Sequence, residues 1–489
     1  MSPIFRAFAT TALLTLAGCV SAPPGPDAAT LIRLSEQALG SAPIKTLVLS
    51  GRGSGAAFGQ AWVPGTAWPG LNYSMLTRAL NFETGAYREE FARSRSEVNG
   101  GGATPLMGTG ETKATGFTRD GYAWNPAGTG ATAAPVALDS RVHDLWTTTP
   151  HGALKAAQRL GAVAGTRTQA GVSVNTLTVT APGQYAATLV LDAAGLVTRI
   201  ESMMPSPVLG DMPVVTEFSD YADRAGVRFP MRIRQSQGGY GALDITVTDV
   251  QINTAVDITV PDSVRTAREN VSVEKVAEGV WFLAGGSHNS VAIELADQIV
   301  LVESPLYDGR ALAVFDAANK LVAGKKVMTV VNSHHHFDHA GGLRTAVAEG
   351  AHLITSEAAR AYYERAFANP NRIAPDRLAK TGLRARITGI SGSTVLRDST
   401  RPIEIHEIQG SVHAQGFLMV WLPREKLLIE ADAYTPGPPN SPAPAVPNGN
   451  NVNLVQNIER LGLQPERILP LHGRVVAMSE LHRQIGRKP

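Results

Sequence analysis

The chain has 489 residues, 44% hydrophobic and 18% charged, with a formal net charge of +2. That length exceeds one ordinary core, so at least two domains are expected, and the composition excludes a disordered chain. The near-neutral balance, with no arginine run or basic stripe, argues against nucleic acid as a partner.

In chain order, the first element is an address. Arg6 precedes an apolar stretch, Ala7–Gly18, shorter than the ~20 residues that span a bilayer, which is the form of a secretory signal peptide. It ends Leu16-Ala17-Gly18-Cys19, which resembles the lipobox of bacterial lipoproteins, and Cys19 is the single cysteine of the chain. The resemblance implies a signal over 1–18, a lipid on Cys19 and membrane attachment on the periplasmic side. Val20 in the next position implies outer-membrane sorting by the same resemblance. Residues 19–27, rich in Pro and Gly, read as a tether.

Residues 28–254 read as a β-rich domain. The 48 glycines and 31 prolines point to many turns. Strands are expected at Thr46–Gly53, Ala187–Leu191, Val214–Phe218, Val227–Gln235 and Leu243–Ile252. The apolar spacing of Val142, Leu145, Leu154, Ala157 and Leu160 predicts a helix over Asp139–Leu160. The phrase from Glu217 to Arg232 resembles curved-sheet periplasmic lipoprotein carriers. No cluster of catalytic residue types stands out here, and His143 and His151 read as structural.

A second domain is expected over residues 255–489. Short strands (Val271–Val276, Val280–Ala284, Ser290–Leu295, Ile299–Val302) lead to a helix at Gly309–Leu321 and a strand at Lys326–Val331. A helix at Arg344–Ala348, a strand at His352–Thr355 and a helical insertion over Glu357–Leu378 follow. Strand Ile403–Ile408, a hairpin of Gly416–Leu422 and Lys426–Glu430, and a helix at Val452–Leu461 complete the pattern. Strands followed by mixed βα units, with no Gly-rich phosphate loop, predict a layered α/β sandwich and argue against a Rossmann fold.

The strand Lys326–Val331 feeds into Ser333-His334-His335-His336-Phe337-Asp338-His339-Ala340-Gly341-Gly342. In extended backbone, alternate side chains share a direction, so His334 and His336 can face one metal while His335 points elsewhere. Asp338 and His339, at the turn into a helix, can face a second. Imidazole nitrogen and carboxylate oxygen suit Zn²⁺, which they bind at ~2.0–2.2 Å.

This His-x-His-x-Asp-His pattern, followed by Gly-Gly, resembles the metallo-β-lactamase-fold hydrolases over Val271 to the C-terminus. The resemblance implies an αββα sandwich and three further ligands in order. His413 in Gly410-Ser-Val-His, Asp432 at the end of Leu427–Glu430 and His472 after Ile468-Leu-Pro-Leu fit those places. It thus implies a metal set of His334, His336, Asp338, His339, His413, Asp432 and His472. His406, inside a strand, reads as structural. Ala431 stands where the family usually has Gly, and Glu303 stands at the strand end where many members have Asp, supporting the metal loop or lying at the surface.

The implied cofactor is two Zn²⁺, with iron or manganese open on the same ligands. A hydroxide bridging the two metals would be the nucleophile, with Asp338 and Asp432 orienting it and taking its proton. Tyr434, two residues past Asp432, is a candidate oxyanion donor. His288 in Gly285-Gly-Ser-His-Asn is a candidate for substrate contact, and the Pro-rich stretch Thr435–Asn451 for a lid. The expected function is a periplasmic, membrane-anchored hydrolase of a small ester, lactone, amide or related substrate. The alternatives are a β-lactamase, or a lipid-binding lipoprotein whose metal site does no chemistry.

Overall fold

The computed structural model describes residues 25–40, 43–96, 100–102 and 110–487. The expected signal segment and Cys19 lie outside the described residues. No helix among the described residues is long and apolar enough to cross a membrane.

The first half is one antiparallel sheet of 13 strands between Thr46 and Ile252. Its strands alternate in burial with period two, as a sheet with one covered face requires. In Gly210–Arg224 the buried side chains are Met212, Val214, Thr216 and Phe218, while Pro213 and Glu217 are exposed. The strand Thr46–Ala56 pairs with Tyr240–Ile252, Leu47 opposite Ile252, so the ends of the domain meet at the middle of the sheet. Helices Ala28–Leu39, Leu138–Thr147 and Pro150–Leu160 place Leu31, Leu39, Leu145, Trp146 and Leu154 against Leu47, Leu189, Ile200 and Phe229.

The single helix expected over Asp139–Leu160 is two helices. Pro150 has no N–H to continue a helix, and Thr149 takes up extended backbone and caps the next one, its Oγ1 accepting from Gly152 N at 3.1 Å. Apolar spacing survives across such a break, and so does not reveal it. The insertion over Glu357–Leu378 likewise divides into Glu357–Ala368 and Arg377–Thr381. Asn369, extended before Pro370, ends the first helix.

The second half is a sandwich of two sheets. Seven strands from Ser272–Ala277 to Arg386–Ile390 form one, and six from Ser393–Arg397 to Val476–Ala477 form the other. The strand Ile299–Val302 is buried on both faces. Val300 and Val302 point into the core between the sheets, with Ile405, Val420 and Ile429. Ile299 and Leu301 point outward to the helices, against Val314, Phe315 and Ala346. Helices Gly449–Arg460 and Met478–Gln484 cover the other sheet through Leu454, Ile458 and Leu481. The layers run helix, sheet, sheet, helix, the expected α/β sandwich beside a mainly-β N-terminal domain.

The two halves are in contact. Val256, Ile258, Val260 and Val264 lead out of the first sheet and pack back onto its Ala79, Ala86 and Trp124. Asp211 N donates to Pro370 O at 2.7 Å. Most relevant to function, the loop after Thr46–Ala56 lies on the histidine motif of the second half.

Candidate metal centre

Strand ends carry the site. Glu303 follows Ile299–Val302, His334 to His339 follow Val327–Val331, and Asp432 and His472 follow the parallel pair Leu427–Glu430 and Arg467–Pro470. His413 lies in the loop before Leu418–Leu422. The Gly341-Gly342 pair has a steric cause. A Cβ at Gly341 would stand 1.8 Å from Leu306 O, and one at Gly342 would stand 2.6 Å from Ser304 O. Two glycines therefore let the loop after Glu303 lie against the helix that follows the motif.

All seven residues expected as ligands come together, in two groups whose ligand atoms lie within 4.8 Å of one another. One is His334, His336, His413 and Asp432. The other is Asp338, His339, His472 and, beyond the expected set, His288. Asp432 faces both. Its Oδ2 lies 3.0 Å from His413 Nε2, and its Oδ1 lies 2.9 Å from the Nε2 of both His339 and His472. His335 points away, its Nε2 donating to Ala61 O at 2.8 Å, as the alternation of extended backbone requires.

The hydrogen bonds fix which ring nitrogens are free. Glu303, fully buried with φ +74°, accepts from Asn332 Nδ2 (2.9 Å), Ser333 Oγ (2.5 Å) and His339 Nδ1 (3.0 Å). Ser333 spends its one proton on Glu303, so at 2.9 Å it accepts from His334 Nδ1. His336 donates from Nε2 to Ala61 O at 3.0 Å, and His472 from Nδ1 to Ser287 O at 2.9 Å. These bonds leave His334 Nε2, His336 Nδ1, His339 Nε2 and His472 Nε2 as lone pairs.

Those lone pairs converge. His334 Nε2 lies 3.0 Å from His336 Nδ1 and 3.1 Å from His413 Nε2, and His339 Nε2 lies 3.1 Å from His472 Nε2. With Asp432 between them, electron-rich atoms crowd one another at hydrogen-bond distance and call for positive charge. Although burial opposes it, Asp432 and Asp338 hold the His339 ring well above the usual imidazole range, and Asp432 raises His472. A cation resolves that conflict, so the donor set fits metal ions. Burial, with neighbouring histidines, holds the His334 and His336 rings well below the usual imidazole range, so they are neutral and able to donate their lone pairs.

Three features were not foreseen from sequence. His288 completes the second group, its Nε2 3.2 Å from Asp338 Oδ2; its Gly-Gly-Ser-His-Asn loop hinted at the site but not at this role. Gln60, from the β-rich half, donates from Nε2 to Asp338 Oδ1 at 2.9 Å, and Ala61 O orients His336. Nothing in Gly59-Gln60-Ala61 signals either. Glu303 supports the metal loop and is no surface acid. It holds His339 directly and His334 through Ser333, one histidine of each group, in the required tautomer.

Tyr434 is corrected. Its side chain is 1% exposed in the sandwich core, and its hydroxyl has no hydrogen-bond partner among the described residues. Burial, with Glu480 nearby, pushes that hydroxyl up to about 12. The groups facing it are Glu480, Arg474, Glu430 and Arg483, none of them in either histidine group. The buried strand end that carries Asp432 to the metal groups turns Tyr434 inward. His406 is structural as expected, bonded to Ser393 and Glu404.

An open cleft of about 690 Å³ lies over Asp338, His413, Asp432 and His472. Phe58, Gln60 and Arg93 of the first half form one wall; Thr435 with Asn448, Asn450 and Asn451, from the two ends of the Pro-rich stretch, form another.

Residues 283–472 match the family model of the metallo-beta-lactamase superfamily. Among solved structures, the chain is similar to a metallo-beta-lactamase from Pontibacter korlensis at 14% identity, covering 44% of this chain and 98% of that one, with a TM-score of 0.34. It is similar to one from Hirschia baltica at 18% identity, 45% and 99% coverage and a TM-score of 0.34. A Pseudomonas aeruginosa metallo-beta-lactamase gives 17% identity, 44% and 93% coverage and a TM-score of 0.33. No curated protein matches the sequence. The superfamily domain and its two His/Asp groups point to a metal-dependent hydrolase.

Proposed function

We propose that this chain, with its metallo-beta-lactamase superfamily domain, hydrolyses a small ester, lactone or amide at a centre of two zinc ions, anchored by Cys19 to the periplasmic face of a bacterial membrane. The observation that carries the chemistry is the pair of His/Asp groups with Asp432 between them. His334, His336, His413 and Asp432 would hold one ion, and Asp338, His339, His472 and His288 the other. Such ions supply Lewis acidity and bring the ionisation of water toward neutral pH.

The chain's own groups do the rest. Glu303 holds the His334 and His339 rings in orientation, and Ala61 O holds His336. Asp338, fixed by Gln60 and His288 and partly open to the cleft, offers a carboxylate to take a proton from a water there. The chain has no cysteine besides Cys19, so no thiol nucleophile is called for. A β-lactam is a cyclic amide and falls within the same substrate class. Anchoring and compartment rest on Leu16-Ala17-Gly18-Cys19.

The test is hydrolysis of p-nitrophenyl acetate and of a chromogenic cephalosporin before chelation, after it, and after zinc is returned. Activity lost on chelation and restored by zinc is expected. Activity indifferent to chelation would overturn the proposal.

A further inference from the structure

The cleft over the metal groups has a neighbour on its inner side. A second cavity of about 430 Å³ lies between the 13-stranded sheet and the metal loop, and Phe58, Gln60, Arg93 and Asp338 line both. The two spaces therefore share a wall at the metal centre. A volume of this size is within the ~300–1000 Å³ of sites that enclose small ligands. Its sides are mostly apolar, with Leu76, Met204, Val208, Met212, Leu243 and Phe337 among them. Most of these come from the N-terminal sheet; Phe337 is the residue between His336 and Asp338 in the motif.

Charge is laid out unevenly across these two spaces. At the far end Arg78 is buried and already bonded, from Nε to Glu89 Oε2 at 2.7 Å and from an Nη to Asp144 Oδ2 at 3.3 Å. With Asp139 also on the wall, carboxylates outnumber guanidinium there and an anion is disfavoured. Arg93, where chamber meets cleft, is different. Its charge meets no carboxylate among the described residues, its Nε is buried without a partner, and its guanidinium carbon stands 4.6 Å from the centre of the Phe91 ring. A partly desolvated cation with no counter-charge is a place for an anionic oxygen.

We infer that the N-terminal sheet is the substrate-binding half of the active site. It takes an amphiphilic ester or amide whose apolar acyl part enters the chamber and whose anionic group meets Arg93, leaving the scissile carbonyl at the metal groups. This rests on the hydrolase reading for the chemistry, while the chamber itself can be tested without turnover.

Two readouts separate them. The first is fluorescence titration of the chelated full-length protein with 8-anilinonaphthalene-1-sulfonate, an apolar ring system bearing an anion. The second is kcat/KM of the zinc-loaded protein on p-nitrophenyl esters from acetate to octanoate. Ala242→Phe and Leu243→Trp fill the chamber from the sheet, and two variants guard against a single misfolded one. Both are expected to weaken the probe at least tenfold and to abolish a preference for longer chains, with melting temperature kept. Arg93→Gln is expected to weaken the probe tenfold and Arg93→Lys to recover part of that loss. His413→Ala, outside the chamber, should leave probe binding unchanged. Loss of binding in the filled variants without hydrolysis of any ester would keep the chamber and overturn the hydrolase reading. Hydrolysis with probe affinity and chain-length preference unchanged by filling would overturn the chamber.

Discussion

Gln60 Nε2 donates to Asp338 Oδ1 at 2.9 Å, tying the β-rich half of the chain to a carboxylate of the metal centre 278 residues later. The bond leaves Asp338 Oδ2 to face His288 Nε2 and so sets the carboxylate's rotation. Groups of this kind around a metal centre typically change affinity or activity by ~10–100-fold. Gln60→Ala is therefore expected to lower kcat about tenfold with the thermal transition unmoved. A kcat within twofold of wild type would show that Asp338 needs no support from the sheet domain.

Glu303 accepts three hydrogen bonds in full burial. Glu303→Gln keeps the volume but puts a donor where an acceptor is needed, and zinc affinity, read by competition with a chelating dye, should fall ~10–100-fold. Glu303→Ala leaves Asn332 Nδ2, the Ser333 hydroxyl proton and His339 Nδ1 without their acceptor and should cost about 3 kcal/mol in urea unfolding. An unchanged zinc affinity in Glu303→Gln would contradict the role given to it.

His151 gives a pH dependence remote from the metal groups. It is buried and stacked on Phe229, with ring centroids 5.5 Å apart and planes at 3°. Burial, with Lys155 nearby, brings its imidazole down to about 4. The unfolded ring titrates near ~6.5, so between those values the unfolded state binds the extra proton and stability falls as pH falls. Above that window the stability is fully present. Between pH 7.5 and 5 the loss is about 2 kcal/mol, and His151→Gln should remove that part of the slope. A slope unaltered in the variant would refute the assignment.

Tyr434 tests the corrected role. With its hydroxyl in the core and not at the metals, Tyr434→Phe should leave kcat and KM within about twofold of wild type and stability unchanged or higher, since a buried hydroxyl without a partner is removed. A kcat loss of tenfold or more would restore it to the reaction.

Much of the centre was legible because its ligands are written in short local patterns. His334, His336 and His339 sit one strand end apart, and His413, Asp432 and His472 each close or precede an apolar strand that sequence alternation reveals. The orientation of those ligands was not legible. Ala61 and Gln60 reach the motif only because the first sheet folds against it, and a backbone carbonyl leaves no mark in a sequence. His288 was seen as a neighbour and not as a ligand, since only folding brings it against Asp338. Tyr434 misled for the converse reason. Proximity in sequence to Asp432 says nothing of which way a buried strand end turns the side chain. The break at Thr149-Pro150 is written in the sequence by the proline, but the apolar spacing runs across it unbroken and hides it.

The most direct measurement of the central claim is metal content by mass spectrometry of the purified full-length chain beside His413→Ala and His339→Ala, one variant from each group. About two ions per chain, falling in both variants, is the result expected from two His/Asp groups that share Asp432. A chain free of bound metal under zinc-replete conditions, or one whose metal is untouched by both substitutions, would contradict it.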